Sequence, residues 1–221
     1  MGEETSTAFG HPHGGTMWAL DTSNGDLWAL PDLGRGSWEN AALVDTGTTT
    51  HVALLLGDDA PARPLYLYVG EKSTAPGANF VERNGLKDGQ LYVWKADNGN
   101  TTPQQFNGTG ATRAGTWVAL NARTNVITAG YDAQGYKNDT TLGDEAESLG
   151  AFLFSRPEDL STSPTDGSIV AFTSTGRGSV YALDNWGDTY VLDIDFNGSA
   201  VPTTGNITIS TMAMTRAAAS S

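Results

Sequence analysis

Cysteine is absent from the 221 residues. Disulfides, thiolate metal sites and a thiol nucleophile are therefore excluded together. Basic residues are few, with 12 Lys and Arg against 25 Asp and Glu, a formal net charge of −13. A surface of that sign repels nucleic-acid backbones and anionic lipid headgroups, so neither is expected as a partner. The sequence also lacks a run of about 18 apolar residues, so no membrane-spanning helix is expected. Its start, Met1-Gly2-Glu3-Glu4, has no basic stretch followed by an apolar one, so no signal peptide is expected in this chain and its compartment stays open. No G-x-S-x-G elbow, P-loop or H-E-x-x-H is found, which argues against serine hydrolases, nucleotide hydrolases and zinc proteases.

What is present points to strands and turns. The chain holds 27 Gly, 6 Trp and 7 Tyr, together with many threonines. Short apolar or alternating runs between turn signals predict strands near 16–20, 26–30, 41–45, 51–56, 65–70, 90–96, 116–121, 151–155, 169–173, 180–184, 189–196 and 206–209. One short helix is expected within 139–151, where Leu142, Ala146 and Leu149 fall near helical spacing. Three segments share a pattern: MWALDTSNG from Met17, LYVWKADNG from Leu91 and YVLDIDFNG from Tyr190. Each ends in Asn-Gly, which favours a type I′ turn with both central residues at positive φ. About twelve strands over three repeats give about four per unit, the count of a propeller blade. Three ordinary hairpins in a β-sandwich are the plainer alternative. Glycine-rich stretches at 73–89 and 98–115 read as long loops.

Four groups of residues carry possible chemistry. Glu39, within the 34–40 segment GRGSWEN, stands before an apolar run, where a carboxylate can project from a strand end. Asp58 and Asp59 are adjacent at the end of an apolar run, and paired carboxylates make a hard-oxygen site for Ca²⁺, or else an ordinary turn. In Ser155-Arg156-Pro157-Glu158-Asp159-Leu160, arginine offers a planar fork that matches phosphate oxygens, with a carboxylate two residues on to hold a cation. A surface ion pair beside a proline turn is the other reading. Glu3 and Glu4, followed by His11-Pro12-His13, could also ligate a metal, although termini fray.

In this order, Glu3-Glu4, GRGSWEN, LLLGDD with PLYLYV, DGQLYVWKADNG and SRPEDL resemble the motifs of the PhoX-type alkaline phosphatases, over nearly all of residues 1–209. The resemblance implies an all-β fold derived from a six-bladed propeller, of which about three four-stranded blades would be present here. It also implies a parent family that is typically exported. The segment 210–221, STMAMTRAAASS, reads as an irregular tail, disordered or out of frame. By resemblance, Arg156 binds phosphate and acts with Glu39 and Glu158 in catalysis. The metal ligands come from Glu3, Glu4, Glu39, Asp58, Asp59 and Glu158. Calcium is the implied cofactor, because a thiolate-ligated iron would need the absent cysteine.

The implied activity is calcium-dependent hydrolysis of phosphate mono-, di- or triesters, with a small-molecule phosphate ester as substrate. A calcium-binding propeller fragment without turnover, and a metal-dependent lactonase or arylesterase, are the alternatives. Half a propeller is expected to form an open arc with exposed sheet faces, which a second copy would complete to six blades as a homodimer.

Overall fold

The computed structural model describes residues 1–5, 14–125 and 127–212. His11, His13 and the tail beyond 212 lie outside them. The chain is all-β, as its composition implies. Strands β1 (Met17–Asp21) and β2 (Asp26–Leu30) form a hairpin. The other strands are β3 (Trp38–Val44), β4 (His51–Asp58), β5 (Tyr66–Glu71), β6 (Gln90–Ala96), β7 (Thr112–Leu120), β8 (Pro157–Thr162), β9 (Ile169–Ser174), β10 (Asp188–Phe196) and β11 (Pro202–Met212). These nine join in one antiparallel sheet of order β3-β4-β5-β6-β7-β11-β10-β9-β8.

Twist accumulates across the sheet and brings its two edges together into a nearly closed, barrel-like form. At the seam β3 packs on β8. Thr162 Oγ1 donates to the Leu43 carbonyl at 2.5 Å, and Asn40 Nδ2 donates to the Leu160 carbonyl at 3.4 Å. The strands expected as separate blades are thus hydrogen-bonded into one sheet, and the open arc is replaced by this seam.

Two clusters of buried side chains explain why β4 and β5 read as nearly continuous apolar runs: both of their faces are covered. Leu55 and Leu67 face an interior shared with Trp94, Phe172 and Tyr190. Leu56, Tyr66 and Tyr68 face outward into a second cluster with Met17 and Leu30 of the hairpin and Leu142 and Ala146 of α2 (Asp139–Ser148).

Several expectations are corrected. The apolar run at 151–155 is not a ladder strand. It threads between elements, with Phe152 N donating to Trp94 O (3.0 Å) and Phe154 N to Arg63 O (2.8 Å), and Phe152 and Phe154 fill the interior. The run at 180–184 is turned, with Val180 N donating to Arg177 O and Asp184 N to Tyr181 O. Strand β8 escaped sequence reading because its charged and polar residues lack alternation. The loop 73–89 contains α1 (Phe80–Arg83), closed by a capping box in which Glu82 N donates to Asn79 Oδ1 and Asn79 N donates to Glu82 Oε2.

The Asn-Gly turns are not type I′. At the first, only Gly25 has positive φ (84°), and its N–H donates to Asp21 O. At the third, positive φ falls on Ala200.

Candidate functional site

Adjacent residues on a strand point to opposite faces, and this separates the carboxylates at the end of β4. Asp58 is fully buried. Its Oδ1 accepts from Ser37 N at 2.9 Å, and its Oδ2 lies 3.5 Å from Arg63 Nε. Arg63 in turn reaches Asp139 at the start of α2, 2.8 Å away. Burial, reinforced by the Asp139 charge, pushes the Asp58 carboxyl up to about 7, although Arg63 and the Ser37 N–H pull the other way. Burial beside Asp58 also raises the Tyr66 phenol well above its usual range.

Asp59 faces the seam and meets Arg156. Nη2 donates to Oδ2 at 2.8 Å, and Nε stands 2.7 Å from Oδ1 as an ion pair. Glu158 Oε1 stands 3.3 Å from the same Nη2. The side chains here are partly open to solvent, at 29% for Arg156, 20% for Asp59 and 24% for Glu158.

Burial raises Glu158, and the neighbouring Asp59 carboxylate adds to the rise against the hydrogen bond from Thr175. Burial likewise raises Glu39, followed by the charges of Glu4, Asp59, Glu158 and Asp159. The hydrogen bond to Asp59 raises Arg156. Five carboxylates, Glu4, Glu39, Asp59, Glu158 and Asp159, and one arginine therefore share one end of the seam.

Local structure fixes this arrangement. Arg156 N donates to Ser174 Oγ (3.1 Å), and Thr175 N donates to Arg156 O (2.9 Å), which ties the start of β8 to the end of β9. Gly57 lets β8 approach β4, because a Cβ there would meet the Glu158 carbonyl and lie 2.9 Å from Leu160 Cδ1. Asp59 N donates to Ser37 O at 2.8 Å, so the segment leading to Glu39 and the end of β4 are held together.

The six residues read from the sequence thus fall into three settings. Glu39, Asp59 and Glu158 come together around Arg156, with the exposed Glu4 near Glu39. Asp58 lies behind the strand with Arg63. Glu3 is occupied locally, its Oε2 accepting from Gly15 N (2.7 Å) and its Oε1 from Trp18 Nε1 (2.6 Å). Arg63, Asp139 and Thr175 had no signal in the sequence, because each is recruited by tertiary contact rather than by a motif.

The donor chemistry suits a hard cation, since every acidic neighbour of Arg156 offers carboxylate oxygens and a cation would relieve their mutual repulsion. Among the described residues, however, no three acidic or imidazole side chains converge in a metal-holding group. No helix among them is long and apolar enough to cross a membrane.

The family model described as alkaline phosphatase PhoX matches residues 21–209. Among solved structures, Pseudomonas fluorescens PhoX in complex with vanadate, a transition state analogue, aligns with a TM-score of 0.63 and 23% identity. The alignment covers 89% of this chain and 35% of that one. This chain therefore spans about a third of that relative, and the likeness establishes a shared fold. No curated protein matches the chain.

Proposed function

The chain belongs to the PhoX alkaline phosphatase family, and from that premise we propose that it is a calcium-dependent phosphoester hydrolase whose reacting centre is Arg156 with Asp59, Glu158 and Glu39. The observation that carries this reading is the hydrogen-bonded Arg156–Asp59 ion pair with Glu158 at 3.3 Å, in a partly open setting where carboxylates crowd one another.

Asp59 engages the Nε and Nη2 edge of the guanidinium and fixes its plane. The remaining Nη1 group is left to donate to non-bridging phosphoryl oxygens. Such fixed donors count most where charge develops in the transition state. Glu39, Asp59 and Glu158 are the candidate ligands for a divalent cation, with Glu4 at the rim, and they would have to draw together around it, because they do not converge as they stand. When bound, that cation supplies charge neutralisation and lowers the pKa of a coordinated water. Thr175 orients the Glu158 carboxylate. Asp58 and Glu3, already engaged by Arg63 and by Gly15 and Trp18, act as supports.

Three carboxylates are few for Ca²⁺, which takes about six to eight oxygens. In this reading a second copy of the chain contributes more. A light-scattering mass near one chain's 23.2 kDa, with metal-dependent activity intact, removes that partner.

The deciding experiment assays p-nitrophenyl phosphate mono-, di- and triesters and a carboxyl ester, with EDTA and with calcium added back. Hydrolysis of a phosphate ester that EDTA stops and calcium restores is expected. Hydrolysis of the carboxyl ester alone would support the lactonase or arylesterase alternative. Calcium-raised melting without turnover would leave a binding module.

A further inference from the structure

A second feature adjoins the Arg156 cluster. Trp186 is 62% exposed, on a chain whose large aromatics are otherwise mostly packed. It borders a cleft of about 230 Å³ whose wall is made of Thr173, Ser174, Thr175, Asp188 and Thr189. Threonines therefore line a space that an indole flanks, beside Asp188, whose Oδ2 accepts from Tyr190 OH at 3.1 Å and whose Oδ1 is the second acceptor, while Ser174 is 2% exposed and bonded to Arg156 N. The loop presenting Trp186 is built rather than loose. Gly187 has φ 79° and lies against the Ser174 carbonyl, and Gly176 is pressed on the Gly187 amide, so a Cβ at either would collide with backbone. Asp184 is 5% exposed and accepts from the Gly187 N–H, which holds the turn from inside.

Two cleft residues also belong to the proposed centre. Ser174 Oγ accepts from Arg156 N at 3.1 Å, and Thr175 donates its N–H to Arg156 O at 2.9 Å while its side chain bonds Glu158. A group bonded to a phosphate at Arg156 is thereby within reach of the cleft.

We infer that this cleft seats the alcohol moiety of the phosphate ester and that the moiety is a hydroxylated ring, a sugar. An indole face takes the apolar face of such a ring. The Asp188 carboxylate and the threonine hydroxyls accept from and donate to its hydroxyl groups. A sugar satisfies both walls at once. An acyclic polyol lacks the flat face, and a plain aryl ester lacks the donors for Asp188. This inference rests on the phosphatase reading for its reaction, but the cleft itself can be tested without turnover.

Saturation-transfer NMR with glucose 6-phosphate, on the wild type and on Trp186→Ala, reports ring contact directly. Hydrolysis of glucose 6-phosphate and of glycerol 2-phosphate reports its use. Saturation of the sugar ring protons is expected in the wild type and is lost in Trp186→Ala. The kcat/KM for glucose 6-phosphate should fall about tenfold, mainly through KM, while glycerol 2-phosphate is hydrolysed unchanged. Trp186→Tyr keeps a ring and should recover most of the loss. Unaltered saturation in Trp186→Ala, or an equal fall for both esters, overturns the inference. Turnover of glycerol 2-phosphate with no saturation of the sugar refutes the cleft and spares the phosphatase. Sugar saturation that Trp186→Ala abolishes, with neither ester hydrolysed, supports the cleft and refutes the phosphatase.

Discussion

Asp58 and Asp59 are neighbours in the chain, and each is paired with an arginine, yet the two pairs sit in different physical worlds. The Asp58–Arg63 pair is enclosed on the outer face of β4, with Asp58 fully buried and Arg63 17% exposed. The Asp59–Arg156 pair lies at the open seam, joined by one hydrogen bond and with solvent on both partners. One strand residue separates a structural ion pair from one that a ligand can reach. Dehydration makes the first costly to break, whereas solvent makes the second cheap to rearrange.

The sharpest test of this contrast is stability. Arg63→Ala should cost about 3–5 kcal/mol, because it strands a buried carboxylate. Arg156→Ala should cost no more than about 1 kcal/mol. Denaturant melts of both variants measure the difference, and equal losses would erase the distinction.

Activity should reverse the ranking at the seam. Arg156→Ala should lower phosphoesterase kcat/KM by roughly 100-fold, as removal of a transition-state donor does. Arg156→Lys should restore little of it, since the fork is gone. Wild-type rates from folded Arg156→Ala would remove Arg156 from the reaction.

Metal response should also separate the two pairs. Calcium at about 100-fold over its Kd stabilises a protein that binds it only when native by about 2.7 kcal/mol. Glu158→Gln should shrink the calcium-dependent rise in Tm, and Asp58→Asn should leave it intact. Coincident melting curves in EDTA and in calcium would sink the cation site.

The smallest effect concerns pH. The folded Asp58 carboxyl is raised to about 7 from 3.8, so the native state binds a proton that the unfolded chain has released. Its contribution to stability is complete below the unfolded pKa and is lost as pH rises through 7. Asp184, raised to about 6 by burial, acts in the same direction over a lower window. Tm should therefore fall by a few degrees between pH 5 and 8, and Asp58→Asn should flatten the upper part of that slope. A wild-type Tm that rises across this range would show that Asp58 is ionised at little cost.

The strand-rich fold, the helix at Asp139–Ser148 and the carboxylates around Arg156 were legible in the sequence because each has a local signature. Alternating or continuous apolar runs mark strands, helical spacing marks α2, and Arg-Pro-Glu sets an arginine and a carboxylate two residues apart. Less legible was anything set by long-range pairing. The run at 151–155 has strand composition, but only Phe154 pairs reciprocally, with Arg63, while Phe152 N donates to Trp94 O and Leu153 N to Thr101 O, so it packs as a thread. The run at 180–184 has strand-like residues, but Arg177 and Tyr181 carbonyls capture its amides in turns.

By itself, then, the sequence determined the all-β class, the acidic balance and the absence of thiol chemistry, and it supplied the carboxylates and the arginine that meet at the seam. These follow from side-chain chemistry and from periodicities of a few residues. Only the tertiary structure decided that nine strands join in one nearly closed sheet and that Asp58 is enclosed with Arg63 on the outer face of β4 while Asp59 meets Arg156 at the open seam. It alone brought Thr175 against Glu158 and Trp186 beside them. The physical reason is range. A strand's alternation is written in neighbouring residues, but which face becomes buried depends on what packs there, and those partners lie up to about a hundred residues away in the chain.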